Sequence, residues 1–200
     1  MGLTDEVLGF ALAAVALTGS PGPANMALAA TGAAYGVRGG VVLSAGIIAG
    51  VWAVMLLTAT GLAAFLLGEP ALGPILKGAA ALYMLYLAWR IASAPPLSAG
   101  EAKRAPPSFG VGVVLGVGNP KAYAAMAALF SGFTLVRAAP THDAALKMAL
   151  VVGIMVAVNL LWLLLGAALT NAFRDSRANR VINIVFALSL LASVAFAFAG

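Results

Sequence analysis

The sequence predicts an all-α membrane protein: six transmembrane helices arranged as two inverted three-helix repeats, with the first and fourth helices interrupted at Pro/Gly breaks. Three observations carry that reading. The 200-residue chain is 63% hydrophobic and 8% charged, with a mean hydropathy of +1.06. A soluble domain is roughly 45–50% apolar and about 25% charged, so this chain has too few polar side chains to cover a surface in water. Its apolar residues form long continuous runs rich in Ala and Leu. Such runs favour helix and do not alternate over about ten residues as the strands of a membrane β-barrel do. Finally, a Gly/Pro interruption falls at a corresponding place in each half of the chain.

At about 20 residues per span, this length accommodates about six crossings. The first run covers about residues 4–35 and is interrupted by Gly19-Ser20-Pro21-Gly22-Pro23. Its start carries Asp5 and Glu6 and no Lys or Arg, the wrong charge for a secretory signal, so it reads as a retained span. The second covers about 40–67 and ends at a Gly68-Glu69-Pro70 turn, and the third covers about 72–92. A polar link follows over about 93–108, with Pro95, Pro96, Pro106, Pro107, Glu101, Lys103 and Arg104. The fourth run, about 109–136, is interrupted at Asn119-Pro120; the fifth covers about 144–172 and the sixth about 181–199. The whole chain, 1–200, is then one transmembrane domain, with repeat one at about 1–92 and repeat two at about 109–200.

Charge sets the expected orientation. Arg38, Arg90, Lys103, Arg104, Arg174, Arg177 and Arg180 fall in the links one–two, three–four and five–six, and outnumber Lys77, Arg137 and Lys147 on the other side. Links rich in Lys and Arg stay in the cytoplasm, which puts both termini outside. A net charge of +5 would suggest nucleic acid in a soluble domain, but here the basic residues are scattered among apolar runs, so no nucleic-acid partner is expected. The partners expected are the lipid bilayer and a small molecule. Cysteine is absent, which excludes disulfides, thiolate metal sites and thiol redox chemistry. No cofactor is expected.

The halves resemble each other at their breaks. Laying Pro120 on Pro23 also lays Gly116 on Gly19, and brings Lys121-Ala122-Tyr123-Ala124 onto Ala24-Asn25-Met26-Ala27. Three spans is an odd number, so the second half enters the membrane the opposite way. Interrupted segments at corresponding positions of such halves point to a transporter's binding site. In the first break, Pro21 and Pro23 remove two backbone donors and forbid a continuous helix. Carbonyls before it lose their partners, and the segment after it presents free N–H groups and a positive dipole end. Unsatisfied backbone groups in hydrocarbon cost several kcal/mol each, so such a break survives only against protein or a polar cavity. Two readings stand: a site for an anionic group such as a carboxylate, built on Pro21, Gly22, Pro23 and Asn25, or a kink that shapes packing. Two prolines flanking a glycine favour the site.

The second break adds Lys121, the one charge the sequence places well inside a span. A charge at mid-bilayer costs about 2.5–3.5 kcal/mol on insertion scales and marks a functional candidate. It follows Pro120 in the first turn of the new half-helix, where its charge opposes the dipole; a nearby anion would explain it, and snorkelling to an interface is the alternative. Asn119 has two open roles, bonding freed backbone groups or a substrate. Tyr123, Trp52 and Trp162 could stack on a substrate ammonium, although such rings more often pack or anchor the interface. Asn159 in the fifth span is a polar residue that either lines a cavity or bonds across helices, and Asn183 in the sixth is similar. Glycines 32, 36 and 40, 46 and 50, and 112 and 116 repeat at a spacing that lets helices approach closely, within one chain or across a homodimer seam. His142, beside Asp143, reads as a solvated loop residue.

With Pro21-Gly22-Pro23, the glycines at 36, 39 or 40, 46 and 50, and Asn119-Pro120-Lys121-Ala122, the chain resembles the LysE/RhtB family of amino-acid exporters over its whole length. The resemblance implies a small oligomeric exporter in the bacterial inner membrane, driven by the proton gradient. One departure narrows the substrate. The branch that exports basic amino acids would carry an acid in the second span, and Gly46-Ile47-Ile48-Ala49-Gly50 has none. No Asp or Glu is expected well inside any span, so a neutral or zwitterionic amino acid is favoured over lysine or arginine. The alternatives are an exporter of a cation or heavy metal, which would want carboxylate, His or thiolate ligands, and a membrane scaffold. An enzyme is not expected, since no intramembrane Ser–His pair or paired Asp is present.

Overall fold

The computed structural model describes residues 3–62, 65, 68–93, 105–170 and 175–199. Among these it holds seven helices and no strand: α1 Leu3–Gly19, α2 Pro23–Ala59, α3 Gly73–Ala92, α4 Phe109–Val117, α5 Pro120–Gly132, α6 Pro140–Ala168 and α7 Ser176–Ala199. Four of them, α2, α3, α5 and α6, begin with proline in the first two positions. Proline suits that place, where its missing N–H would have had no helical partner. By length and composition α2 and α6 can each cross a membrane, and α4 with α5 makes a third span if that bent pair is one crossing. Most of the polar link, 94–104, lies outside the described residues.

The breaks fall where the sequence places them. A gap at 20–22 separates α1 from α2, and α4 meets α5 at 61° across Gly118 and Asn119. A further discontinuity lies inside α2. Its 37 residues would run to about 55 Å at the helical rise, nearly twice the hydrocarbon thickness. Gly36 divides it with φ 70° and ψ 176°, a conformation reserved for glycine. By spacing alone, Gly36 groups with the close-packing glycines. It has no atom within 4 Å of where a Cβ would stand, so it is the turn between two segments and not a packing contact.

The remaining glycines of that series do pack, and within the chain. A Cβ on Gly46 would lie 2.1 Å from the Phe109 carbonyl oxygen, and one on Gly112 2.4 Å from that of Leu43. Gly50 and Gly116 meet one turn further along. The second segment of α2 therefore crosses α4 backbone on backbone. The first segment crosses α6 likewise, Gly32 against Leu163 and Gly166 against Ala29. Phe10, Leu28, Leu43, Ile47, Met55, Met126, Leu129 and Val151 fill the space between α1, α2, α5 and α6. α3 packs on α7 around Ala88 and Ala187. Outward from this core stand Leu8, Leu12, Val41, Val42, Trp52, Val156, Leu160 and Leu164, large apolar side chains suited to lipid.

Lys147 and Asp143 depart from expectation. The sequence places Lys147 at a membrane edge and no acid well inside a span; both residues do lie at the start of α6, but their side chains are buried there, Lys147 only 3% exposed. They form an ion pair of 2.6 Å. Lys147 Nζ also donates to the Phe130 and Phe133 carbonyls (3.1 and 2.5 Å), at the end of α5. Asp143 Oδ1 accepts from the backbone N–H of Leu135 and Val136 (2.5 and 2.8 Å). The pair thus satisfies the backbone of the α5–α6 reversal, which is what makes its burial affordable. Nearby, Arg137 pairs with Glu6 at 2.8 Å, so the start of α1 and the α5–α6 loop share one end of the bundle.

Gly46→Ala should destabilise the detergent-solubilised protein by about 1–3 kcal/mol or more through overpacking. Gly153→Ala, where a Cβ meets open space, should be neutral or stabilising by up to about 1 kcal/mol; thermal unfolding of both variants checks this. Removing Lys147 alone should cost about 3–5 kcal/mol by stranding Asp143. In a double-mutant cycle, Asp143→Ala with Lys147→Ala should cost clearly less than the two single losses added together, and additivity would refute the coupling.

Candidate functional site

The first break leaves four carbonyls without helical partners, and side chains from elsewhere reach each of them. Asn25 Nδ2 folds back to donate to Thr18 O at 2.7 Å and Ser20 O at 2.9 Å. Trp162 Nε1 of α6 donates to Gly19 O at 3.2 Å. Lys121 Nζ, at the second break, donates to Ser20 O at 2.5 Å and Pro21 O at 3.4 Å. A backbone carbonyl left unmatched in hydrocarbon costs several kcal/mol, so this network is what makes the break tolerable within a span. Gly22 leads into α2 with extended backbone and no side-chain cap. A Cβ there would stand 3.1 Å from Lys121 Cδ, so the glycine leaves room for the lysine stem.

The second break is braced in the opposite sense. Asn119 caps α5, its Oδ1 accepting from the Lys121 backbone N–H at 3.2 Å. Pro120 supplies no N–H and starts the half-helix. Lys121, half-buried, then spans from one break to the other. Residues about a hundred positions apart in sequence become one polar centre, with a lysine as the tie.

Gly22, Asn25, Asn119, Lys121 and Asn159 line one cavity of about 40 Å³ at this centre. Asn159, 2% exposed, reaches from α6 and donates through Nδ2 to Ser44 Oγ of α2 at 3.1 Å. Thr18 completes the polar wall; Ile47, Val51, Met126 and Met155 form an apolar one. That volume holds a few waters, not an amino acid. Of the other residues singled out in the sequence, Pro21, Pro23 and Pro120 shape the breaks without lining the cavity, and half-buried Tyr123 packs on the core beside it. Trp52 is 48% exposed on the outer surface and Trp162 is committed to Gly19 O, so neither ring faces the cavity. His142 is exposed, in the first turn of α6 and not in a loop. Asn183 is buried in α7 away from this lining. Met126, Met155, Ile47 and Val51 gave no signal in the sequence, because an apolar residue facing a cavity looks the same there as one facing lipid.

Comparison with known proteins shows the family. The model of the LysE type translocator family matches residues 15–199. Cysteine/O-acetylserine efflux proteins of Salmonella typhimurium and Escherichia coli K12 are 31% identical over 177 and 178 residues, covering 86% of this chain and 87% of their own. An uncharacterized membrane protein of Pseudomonas aeruginosa is 34% identical over 131 residues, 61% of this chain and 60% of its own. No solved structure matches the chain. With a family match that spans nearly all of its length and breaks that meet around Lys121, the chain belongs to the LysE type translocator family.

Proposed function

We propose that this protein exports a small neutral amino acid, of the class that includes cysteine and O-acetylserine, across the bacterial inner membrane. The observation that carries the proposal is the meeting of two helix breaks at one small cavity with polar side chains in its wall, tied by Lys121. The relatives named as cysteine/O-acetylserine efflux proteins support the substrate class. The lining has no carboxylate, so a second positive charge on lysine or arginine would be desolvated without a counter-charge. It has no imidazole or thiolate either, which leaves the reading as a metal-ion exporter without ligands.

The inverted six-span repeat is part of the proposal. With Pro23 laid on Pro120, residues 23–35 cover α5 from end to end, and Gly36, which closes the first segment, falls on Phe133, the residue that caps α5. Exchanging the halves sends the α2–α4 contact to α6–α1 and returns α3–α7 to itself, and all of these contacts are present. Such pairing supports a pseudo-twofold arrangement. Lys/Arg distribution supports both termini outside, and the Glu6–Arg137 pair supports placing the start of α1 with the α5–α6 loop.

In the proposed cycle, substrate enters from the cytoplasm and its carboxylate meets Lys121 and the N-terminus of the half-helix α5. The contracted cavity must widen to admit it. One repeat then rocks against the other, and the site opens outward. Proton drive is what the family resemblance implies.

Lys121→Ala should abolish efflux from loaded cells while membrane levels stay normal; unchanged efflux would remove Lys121 from the site. In a panel of amino acids, expression should accelerate loss of cysteine, O-acetylserine or a similar neutral compound and leave lysine and arginine retained. Export of lysine in preference would overturn the substrate class.

A further inference from the structure

The two breaks carry one buried amide each, Asn25 and Asn119, 6% and 7% exposed. Their backbone partners fix which way each amide faces. Both bonds of Asn25 go to carbonyl oxygens, Thr18 O and Ser20 O, so the donating atom must be Nδ2. Its Oδ1 is then left as an acceptor with no partner among the described residues. The bond of Asn119 comes from a backbone N–H, so the accepting atom must be Oδ1. Its Nδ2 is left as a donor with no partner among the described residues. Both side chains line the same cavity. Two amides brace two opposite kinds of orphaned backbone, acceptors at the first break and a donor at the second. Each consequently offers the cavity its other pole.

A buried polar atom without a partner is disfavoured unless something meets it. We propose that the two break amides read the two poles of a zwitterionic substrate, Asn119 Nδ2 taking the carboxylate and Asn25 Oδ1 the ammonium. The proposal rests on the reading of the chain as an amino-acid exporter and adds residue-level specificity to it. The carboxylate pole falls at the N-terminus of α5, where the helix dipole favours an anion; the Lys121 ammonium itself lies at the first break, on Ser20 O and Pro21 O. The ammonium pole falls on a neutral oxygen at the first break. A site with this polarity requires both α-substituents on the substrate, because removing either strands a buried amide. It also gives Asn119 a role separable from helix capping. Aspartate and serine cap a helix as well as asparagine does, yet neither carries an amide donor.

The test uses the full chain in proteoliposomes, with labelled cysteine as the transported probe under reducing conditions. Unlabelled cysteine, cysteamine (no carboxylate) and 3-mercaptopropionate (no ammonium) compete. In the wild type, both analogues should compete roughly tenfold or more weakly than cysteine. Asn119→Asp should weaken cysteine by roughly tenfold or more through repulsion of its carboxylate, and leave competition by cysteamine unchanged or improved. Asn119→Ser, which keeps a cap and adds no charge, should weaken cysteine alone and less severely. Thermal stability of both variants should match the wild type. A purely structural Asn119 would change cysteine and cysteamine together, or neither, and either result overturns the carboxylate assignment. Equal competition by 3-mercaptopropionate and cysteine overturns the ammonium assignment. If the wild type transports neither cysteine nor O-acetylserine, the export reading itself fails and this assignment with it. Wild-type transport with a failed variant pattern removes this assignment alone.

Discussion

The backbone's need for partners in a medium without water governs this molecule. Each proline that interrupts a helix in the first break frees carbonyls that lipid cannot satisfy. Asn25, Trp162 and Lys121 reach those carbonyls from α2, α6 and α5. Three helices are therefore held against the break by the need to repair it. The polar centre of the protein is the repair, and its cavity is what the repair encloses.

Close approach makes that repair reachable. The glycine crossings of α2 on α4 and on α6 bring backbones into contact, which positions Asn159 to bond Ser44 and Lys121 to reach Ser20. At the other end of α5, the buried Asp143–Lys147 pair secures the chain reversal. The half-helix that carries Lys121 is thus anchored at both ends, by Asn119 at its start and Lys147 at its finish. Van der Waals packing and interhelical polar bonds do here what hydrophobic burial does in water.

Much of the fold could be read from the residues, and the reasons differ by element. The apolar runs marked the helices because lipid tolerates nothing else over that length. The Pro-Gly-Pro and Asn-Pro signals marked the breaks because proline acts locally, whatever surrounds it. The burial of Asp143 and Lys147 is not legible in the sequence, for a definite reason. Four residues apart at the start of a helix, they look in sequence like a solvated surface pair. Only the carbonyls of Phe130 and Phe133 and the N–H groups of Leu135 and Val136 show that they are buried. Gly36 was misread for a similar reason: a glycine at a packing interval and a glycine at a turn are the same letter.

By itself the sequence determined the environment, the helices, the two breaks and the singular position of Lys121, since composition and proline act without reference to distant residues. Tertiary structure alone decided that Lys121 turns toward the first break, that Asn25 and Asn119 line one cavity, and that Tyr123 and Trp52 do not line it. These depend on which backbone groups lie within about 3 Å of a side chain, a distance between residues far apart in the chain.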